Sequence, residues 1–290
     1  MCITVLVSGI VILIWHIQGE FFADRITAQE LWEKGSYQEI FDISGKTLEE
    51  KPLDYEALIL RGFSAYQLAL AQITDPDKFV YIEECINCLR KVALVKSGGM
   101  DGAIQYVLGK AYYGKGTEYA DLAVQSLEFA KKMGFSGDDM NEYLGIAYAA
   151  LRKYRLSVAA LTEALNSPRM AERFSDALLL SIANSYFAMD DFGMAAAYLT
   201  RCIDVSKDDT AKRRARFALG DVYFRQEDYS AAEDQYTAIL KDFGENAEAH
   251  YRLGEINAAR NDMIRARAEW RKAVLVDPTH RSSRSRLALR

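Results

Sequence analysis

Residues 219–278 read LGDVYFRQEDYSAAEDQYTAILKDFGENAEAHYRLGEINAARNDMIRARAEWRKAVLVDP, and within them a pattern recurs after 34 residues. Leu219-Gly220-x-x-Tyr223 with Ala232-x-x-x-Tyr236 is followed by Leu253-Gly254 with Ala266-x-x-x-Trp270 and Pro278. Small residues beside Leu let two helix backbones approach closely, and the aromatics fill the remaining space. Ala232 precedes Tyr236 by one helical turn, and Pro278 cannot continue a helix. Each unit therefore reads as helix, turn, helix.

The pattern extends upstream. Leu144-Gly145-x-x-Tyr148 runs on to Tyr154, Ser157, Leu161 and Ala164, and Leu108-Gly109-x-x-Tyr112 to Ala123, Leu127 and Ala130. Ile182-Ala183-x-x-Tyr186 is followed by Phe192, Ala195, Leu199 and Cys202. Two further units are degenerate. Arg61-Gly62 with Cys85, Leu89 and Val92 carries an insertion around Thr74-Asp75-Pro76-Asp77, which predicts longer helices, while Gly35, Tyr37, Ile40 and Pro52 match only the second half of a unit. This set resembles the tetratricopeptide repeat, whose signature combines Trp-x-x-Leu-Gly-x-x-Tyr, Ala-x-x-x-Phe and a closing Pro. The resemblance implies an all-α, right-handed superhelical solenoid of seven units near 21–54, 55–101, 102–137, 138–175, 176–212, 213–246 and 247–280. The basic segment 281–290 then reads as a capping helix, because the last unit of a solenoid otherwise leaves an apolar face in water.

Half of the 290 residues are apolar and only four are Pro, which suits one continuous helical array without a linker. The net charge of −5 is uneven: residues 260–290 hold nine Lys or Arg against three Asp or Glu, leaving about −11 for the remainder. Such asymmetry marks a solvated cap or a contact with an anionic lipid or polymer. Nucleic acid is disfavoured, since no aromatic interleaves the final arginines.

Residues 3–17, ITVLVSGIVILIWHI, contain no charged side chain. At 1.5 Å per residue they span about 23 Å, and the flanking residues extend them toward the roughly 30 Å hydrocarbon core. Segment 1–20 therefore reads as an uncleaved transmembrane anchor. A cleaved leader is the competing reading, but cutting after Ala23 or Gly19 would put Phe21 or Ile17 where a small residue is needed. No Lys or Arg precedes the segment, and Glu20 and Asp24 come before Arg25, so the flank lacks the cations that would hold the solenoid in the cytoplasm. The expectation is a single-pass protein of the cytoplasmic membrane with its solenoid on the extracytoplasmic side, and a solenoid facing the cytoplasm is the competing reading.

Nothing in the sequence supports catalysis, a cofactor or a metal. Cys85-Ile86-Asn87-Cys88 lies inside a helical pattern rather than at a strand-to-helix junction, and Cys85 and Cys202 occupy helix-packing positions, so both read as small hydrophobes; a Cys85–Cys88 disulfide stays open in an extracytoplasmic setting. His250 and His280 lack a neighbouring nucleophile. The pairs Asp138-Asp139, Asp190-Asp191 and Asp208-Asp209 fall at turns or helix starts, where carboxylates cap free N–H groups. There is no phosphate-binding Gly-rich loop.

The resemblance also implies that the first helix of every unit lines a concave face that binds a partner protein. Its inward positions are Ile59, Phe63 and Tyr66, then Tyr106 and Tyr113, Asn184 and Phe187, Phe217 and Phe224, and Tyr251, with Asp221, Arg214 and Arg225 adding charge. An apolar groove with sparse polar anchors suits an extended peptide or an amphipathic helix. The variants of this family that grip a chaperone's C-terminal carboxylate need five polar residues. Only Asn184 and Arg252 match, and Leu180, Ala218 and Glu248 do not, which disfavours that ligand. The first functional reading is thus a membrane-anchored, non-enzymatic scaffold in a cell-envelope assembly; the second is a binder of an anionic polymer or lipid through the basic C-terminus.

Overall fold

The computed structural model describes residues 28–95, 101–167 and 176–288, and among these the chain is all-helical, with fifteen α-helices, one 3-10 turn and no strand. The apolar segment 3–17 lies outside the described residues. Among the described residues no helix is long and apolar enough to cross a membrane.

The chain divides into two compact units, 1–164 and 165–290. In the first, four hairpins follow one another: α1 (Ala28–Glu33) with α2 (Tyr37–Glu50), α3 (Tyr55–Ala71) with α4 (Asp75–Val95), α5 (Gly102–Lys115) with α6 (Ala120–Lys132), and α7 (Met140–Ala150) with α8 (Tyr154–Leu165). The second holds α9 (Asp176–Ala188) with α10 (Phe192–Val205), α11 (Asp209–Arg225) with α12 (Tyr229–Phe243), α13 (Ala247–Ala259) with α14 (Met263–Val276), and the closing α15 (Arg281–Ala288). Helix α4, with 21 residues, is the longest among the described residues, as the insertion around Asp75 predicts. Helix α11 begins four residues ahead of the expected start at 213, because Asp208 caps it by accepting from the Thr210 N–H at 2.9 Å.

One turn recurs inside the hairpins. Arg152, Asp190, Glu227 and Asn261 occupy the same place after the first helix, and each has a left-handed φ of 57° to 62°. The next N–H then reaches back to a carbonyl in the last turn: Lys153 to Tyr148, Asp191 to Tyr186, Asp228 to Tyr223 and Asp262 to Asn257, at 2.8–3.0 Å. That bond closes the first helix in a Schellman turn and aims the chain backwards. The following Asp191, Asp228 and Asp262 each cap the second helix by accepting an N–H three residues on, at 3.0–3.1 Å. Asp139 departs from the capping expectation. Its carboxylate makes no cap bond and is held instead by Lys110 and Tyr106.

Close approach explains the Gly and aromatic positions. A Cβ on Gly220 would stand 2.6 Å from the Tyr236 ring, and one on Gly254 would stand 2.3 Å from Nε1 of Trp270. With hydrogen there instead, Tyr236 and Trp270 sink to 1% and 2% exposure, each contributing at most about 4–6 kcal/mol of apolar burial. Cys85 and Cys202 are fully buried, and Cys85, Cys88 and Cys202 are all free thiols, so the two Cys-x-x-Cys residues pack rather than bond to each other. Burial pushes the Cys88 thiol up to about 12 and the Cys202 thiol to about 11.

Candidate protein-binding faces

Stacked hairpins place their first helices side by side, so the residues beside each Leu-Gly turn toward the same face. In the first unit this face belongs to α3, α5 and α7, and it differs from the exposed aromatic stripe expected from the sequence. Phe63, Tyr66 and Tyr106 are 1%, 3% and 3% exposed and belong to the core, as does Ile59. The tyrosines gather around Lys110, the residue after Gly109 on α5, whose side chain is 1% exposed. Its ammonium donates to Asp139 Oδ2 at 2.7 Å and to the Tyr106 hydroxyl at 3.3 Å. It lies 4.9 Å from the ring centre of Tyr106, 4.8 Å from that of Tyr143 and 5.6 Å from that of Tyr66. A buried ammonium needs acceptors and π faces around it, and it draws the three rings inward. The Tyr106 hydroxyl donates to the other oxygen of Asp139, and the Tyr66 and Tyr143 hydroxyls share a hydrogen bond. Burial lowers the Lys110 amine and raises all three phenols.

Tyr113 is the one predicted site residue of this unit that reaches solvent, at 37% exposure, with its ring edge-on to Tyr143 at 5.0 Å. Two half-buried carboxylates of this face are absent from the expected set: Glu56 in the first turn of α3, and Glu142 on α7, close to Tyr113. Burial and a nearby carboxylate, Asp54 and Asp139 respectively, raise both above the usual range, with Lys110 partly opposing the shift at Glu142. The signal in the sequence that could have exposed the two acids is their register: Glu56 stands six residues before Gly62 and Glu142 three before Gly145, as the face residues Arg214 and Phe217 stand before Gly220.

In the second unit the face belongs to α9, α11 and α13. Phe187 and Phe224 are half-buried and close their own hairpin turns, edge-on to Phe192 at 5.7 Å and to Tyr229 at 5.5 Å. Arg225 covers Phe187 and Phe192 from 5.7 and 5.9 Å and reaches Asp190 at 3.5 Å. Phe217 leans on Tyr236 at 6.1 Å, and Tyr251 on the His280 ring at 5.5 Å. Asp221 accepts from the Tyr236 hydroxyl at 2.6 Å and pairs with Arg252 at 3.3 Å, and Arg252 also holds Glu248 at 2.7 Å. Burial pushes the Asp221 carboxyl up, against the pull of Tyr236 and Arg252. Asn184 and Arg214 are exposed and make no hydrogen bond or ion pair among the described residues.

Both histidines of the described residues are bound. His250, 4% exposed, has Nδ1 at 2.7 Å from Glu269 and Nε2 at 2.8 Å from Glu245. His280 joins Glu248 at 3.1 Å and Ser283 at 2.9 Å, tying α15 to α13. The basic C-terminal end is partly neutralised within the fold. Arg260 pairs with Glu233, Arg265 with Asp262, Lys272 with Glu269 and Arg286 with Glu255, while Arg271, Arg281 and Arg284 have no carboxylate partner among the described residues.

Two tetratricopeptide-repeat family models match the chain, over residues 217–280 and 174–244. No curated protein matches the sequence. Among solved structures, the C-terminal part of a TPR repeat-containing protein from Cytophaga hutchinsonii superposes with a TM-score of 0.62 at 15% identity, covering 89% of this chain and 97% of its own. PilF of Pseudomonas aeruginosa gives 0.54 at 14% identity over 79% of this chain and 97% of its own. MamA of Desulfovibrio magneticus RS-1 gives 0.52 at 16% identity over 63% of this chain and 98% of its own. Residues 174–280 therefore carry tetratricopeptide repeats, and the described helices of the chain as a whole adopt a TPR-like, all-helical solenoid fold.

Proposed function

We propose that this protein is a membrane-anchored, non-enzymatic scaffold that holds an extended or helical segment of a partner protein on the first-helix faces of its repeats. The repeats themselves favour a protein–protein interaction role. The observation that carries the finer reading is the pair of unpartnered polar side chains on the α9–α11 face, Asn184 and Arg214, beside half-buried Phe217 and Ala218. An amide that can both donate and accept, together with a free guanidinium, supplies what a partner backbone or carboxylate needs, and the apolar floor supplies burial. Segment 1–20 serves as the anchor, and the solenoid works on the extracytoplasmic side within a cell-envelope assembly.

The test uses the full chain in its native membranes with a photo-crosslinker at position 184, compared with one at Asp234, which is exposed on α12. Partner adducts are expected from position 184 and not from 234, and the Asn184→Ala, Arg214→Ala double variant is expected to recover far less partner. Equal recovery by that variant overturns the face assignment. Removal of residues 1–20 is expected to release the chain from the membrane fraction, and retention there would overturn the anchor. Arg260, Arg265, Lys272 and Arg286 are already held by carboxylates of the fold, which leaves fewer cations at the C-terminal end for an anionic polymer or lipid.

A further inference from the structure

The two first-helix faces treat their acids differently. On α11 and α13, Asp221 and Glu248 share Arg252, and Glu255 is held by Arg286. On the face of α3, α5 and α7, Asp139 is satisfied by Lys110, yet Glu56 and Glu142 have neither hydrogen-bond donor nor ion-pair partner among the described residues. Both are half-buried. Removing a carboxylate from water without a compensating partner is unfavourable, and burial correspondingly raises both groups above the ordinary carboxylate range. Lys110, the nearest cation, is committed to Asp139 and is itself buried.

We propose that the face of α3, α5 and α7 receives a basic, extended segment of a partner protein, with Glu142 and Tyr113 taking one cationic side chain and Glu56 a second. This rests on the scaffold reading above and names the chemistry of its partner. A guanidinium donates two parallel N–H bonds to the Glu142 carboxylate while its plane covers the exposed ring of Tyr113, which Tyr143 holds edge-on. The Tyr113 hydroxyl has no partner among the described residues and offers a further acceptor. Glu56 lies two first helices away from Glu142. Neighbouring packed helices stand about 8–10 Å apart, so the two carboxylates are separated by at least about 16–20 Å, which about six or more extended residues span. The charge pattern excludes an acidic segment: no unpaired cation stands at these face positions of α3, α5 or α7 to receive it.

The test is fluorescence anisotropy with the full chain and labelled Gly/Ser peptides that carry two arginines about six residues apart, two adjacent arginines, or two glutamates about six residues apart. The spaced arginine peptide is expected to bind at physiological salt, the adjacent-arginine peptide more weakly, and the glutamate peptide not at all. Glu142→Gln and Glu56→Gln are each expected to weaken the spaced peptide at least about tenfold while leaving the helical circular dichroism unchanged, since each removes an unpaired charge without changing shape. Tyr113→Leu, which keeps bulk and removes the π face, is expected to weaken it roughly two- to fivefold. Equal binding of the spaced and adjacent arginine peptides, undiminished binding by Glu142→Gln, or no binding of the spaced peptide overturns the proposal. If native partner recovery depends on Asn184 and Arg214 but not on Glu142, the scaffold reading stands and this inference fails.

Discussion

The Lys110 cluster allows a prediction in which the two members of one ion pair are unequal. Asp139→Asn keeps the shape and the acceptor oxygen but removes the charge facing an ammonium whose side chain is 1% exposed. Breaking a buried pair this way costs about 3–5 kcal/mol. The lysine can limit the loss by shedding its proton. Neutralising an amine of ordinary pKa 10.5 at pH 7 takes about 4.8 kcal/mol, at about 1.4 kcal/mol per pH unit, which sets the ceiling. Lys110→Met instead leaves Asp139, whose side chain is 33% exposed, to be hydrated while it still accepts from Tyr106. Its cost is expected near 1–2 kcal/mol. The pH dependence has a definite sign. With a neutral native lysine the unfolded chain binds one more proton below pH 10.5, so the stability of Asp139→Asn rises with pH. Its deficit against the wild type, in which burial lowers Lys110 less completely, shrinks by up to about 1.4 kcal/mol per unit above pH 7. Urea unfolding followed by circular dichroism at pH 7.0 and about 9.5 reads this directly, provided the slope with urea is unchanged. A Lys110→Met cost equal to that of Asp139→Asn, or an Asp139→Asn deficit independent of pH, refutes the reasoning.

Three other outcomes follow from the packing. Gly254→Ala gains about 1 kcal/mol of helix propensity but presses its methyl to 2.3 Å from Trp270 Nε1, so a net loss of about 1–2 kcal/mol is expected in thermal melts; Gly193→Ala, with nothing nearer than 3.9 Å, is expected to stabilise by up to about 1 kcal/mol, and a shared sign would contradict the close-approach argument. Cys85, Cys88 and Cys202, buried and with Cys88 pushed up to about 12, should resist a thiol reagent at pH 8 until urea is added, and rapid labelling of the folded chain would show them more open than described. Burial pushes the Glu269 carboxyl up, but hydrogen bonds from Lys272 and His250 outweigh it and hold it below 4.5. A lowered acid stabilises the fold above its unfolded pKa and loses that contribution as pH falls, so Glu269→Gln is expected to cost about 1–2 kcal/mol at neutral pH and to converge on the wild type below pH 4.5, as urea midpoints across pH would reveal.

The helical hairpin was legible in the chain because it rests on local, periodic requirements. Gly220 with Tyr236 and Gly254 with Trp270 recur because each small residue admits one large ring from the second helix. The αL residue and the Asp after it recur at Asp190-Asp191 and Glu227-Asp228 because one turn must both end a helix and start the next. The face was read less well. Mapping positions one repeat at a time places Tyr106 and Phe217 alike, although the first is buried beside Lys110 and the second is half-buried against Tyr236.

The sequence by itself determined the repeat, its helical hairpins and the packing roles of its cysteines, because close approach, turn closure and capping act within one unit. Tertiary structure alone decided which charged groups are satisfied. Lys110 meets Asp139 from the following hairpin, His280 meets Glu248 from the preceding first helix, and Glu142 meets no hydrogen-bond donor or ion-pair partner among the described residues, and each of these outcomes depends on how neighbouring helices stack. A repeat pattern records what every unit needs in common, whereas the fate of a single charge is set by the one neighbour that does not repeat.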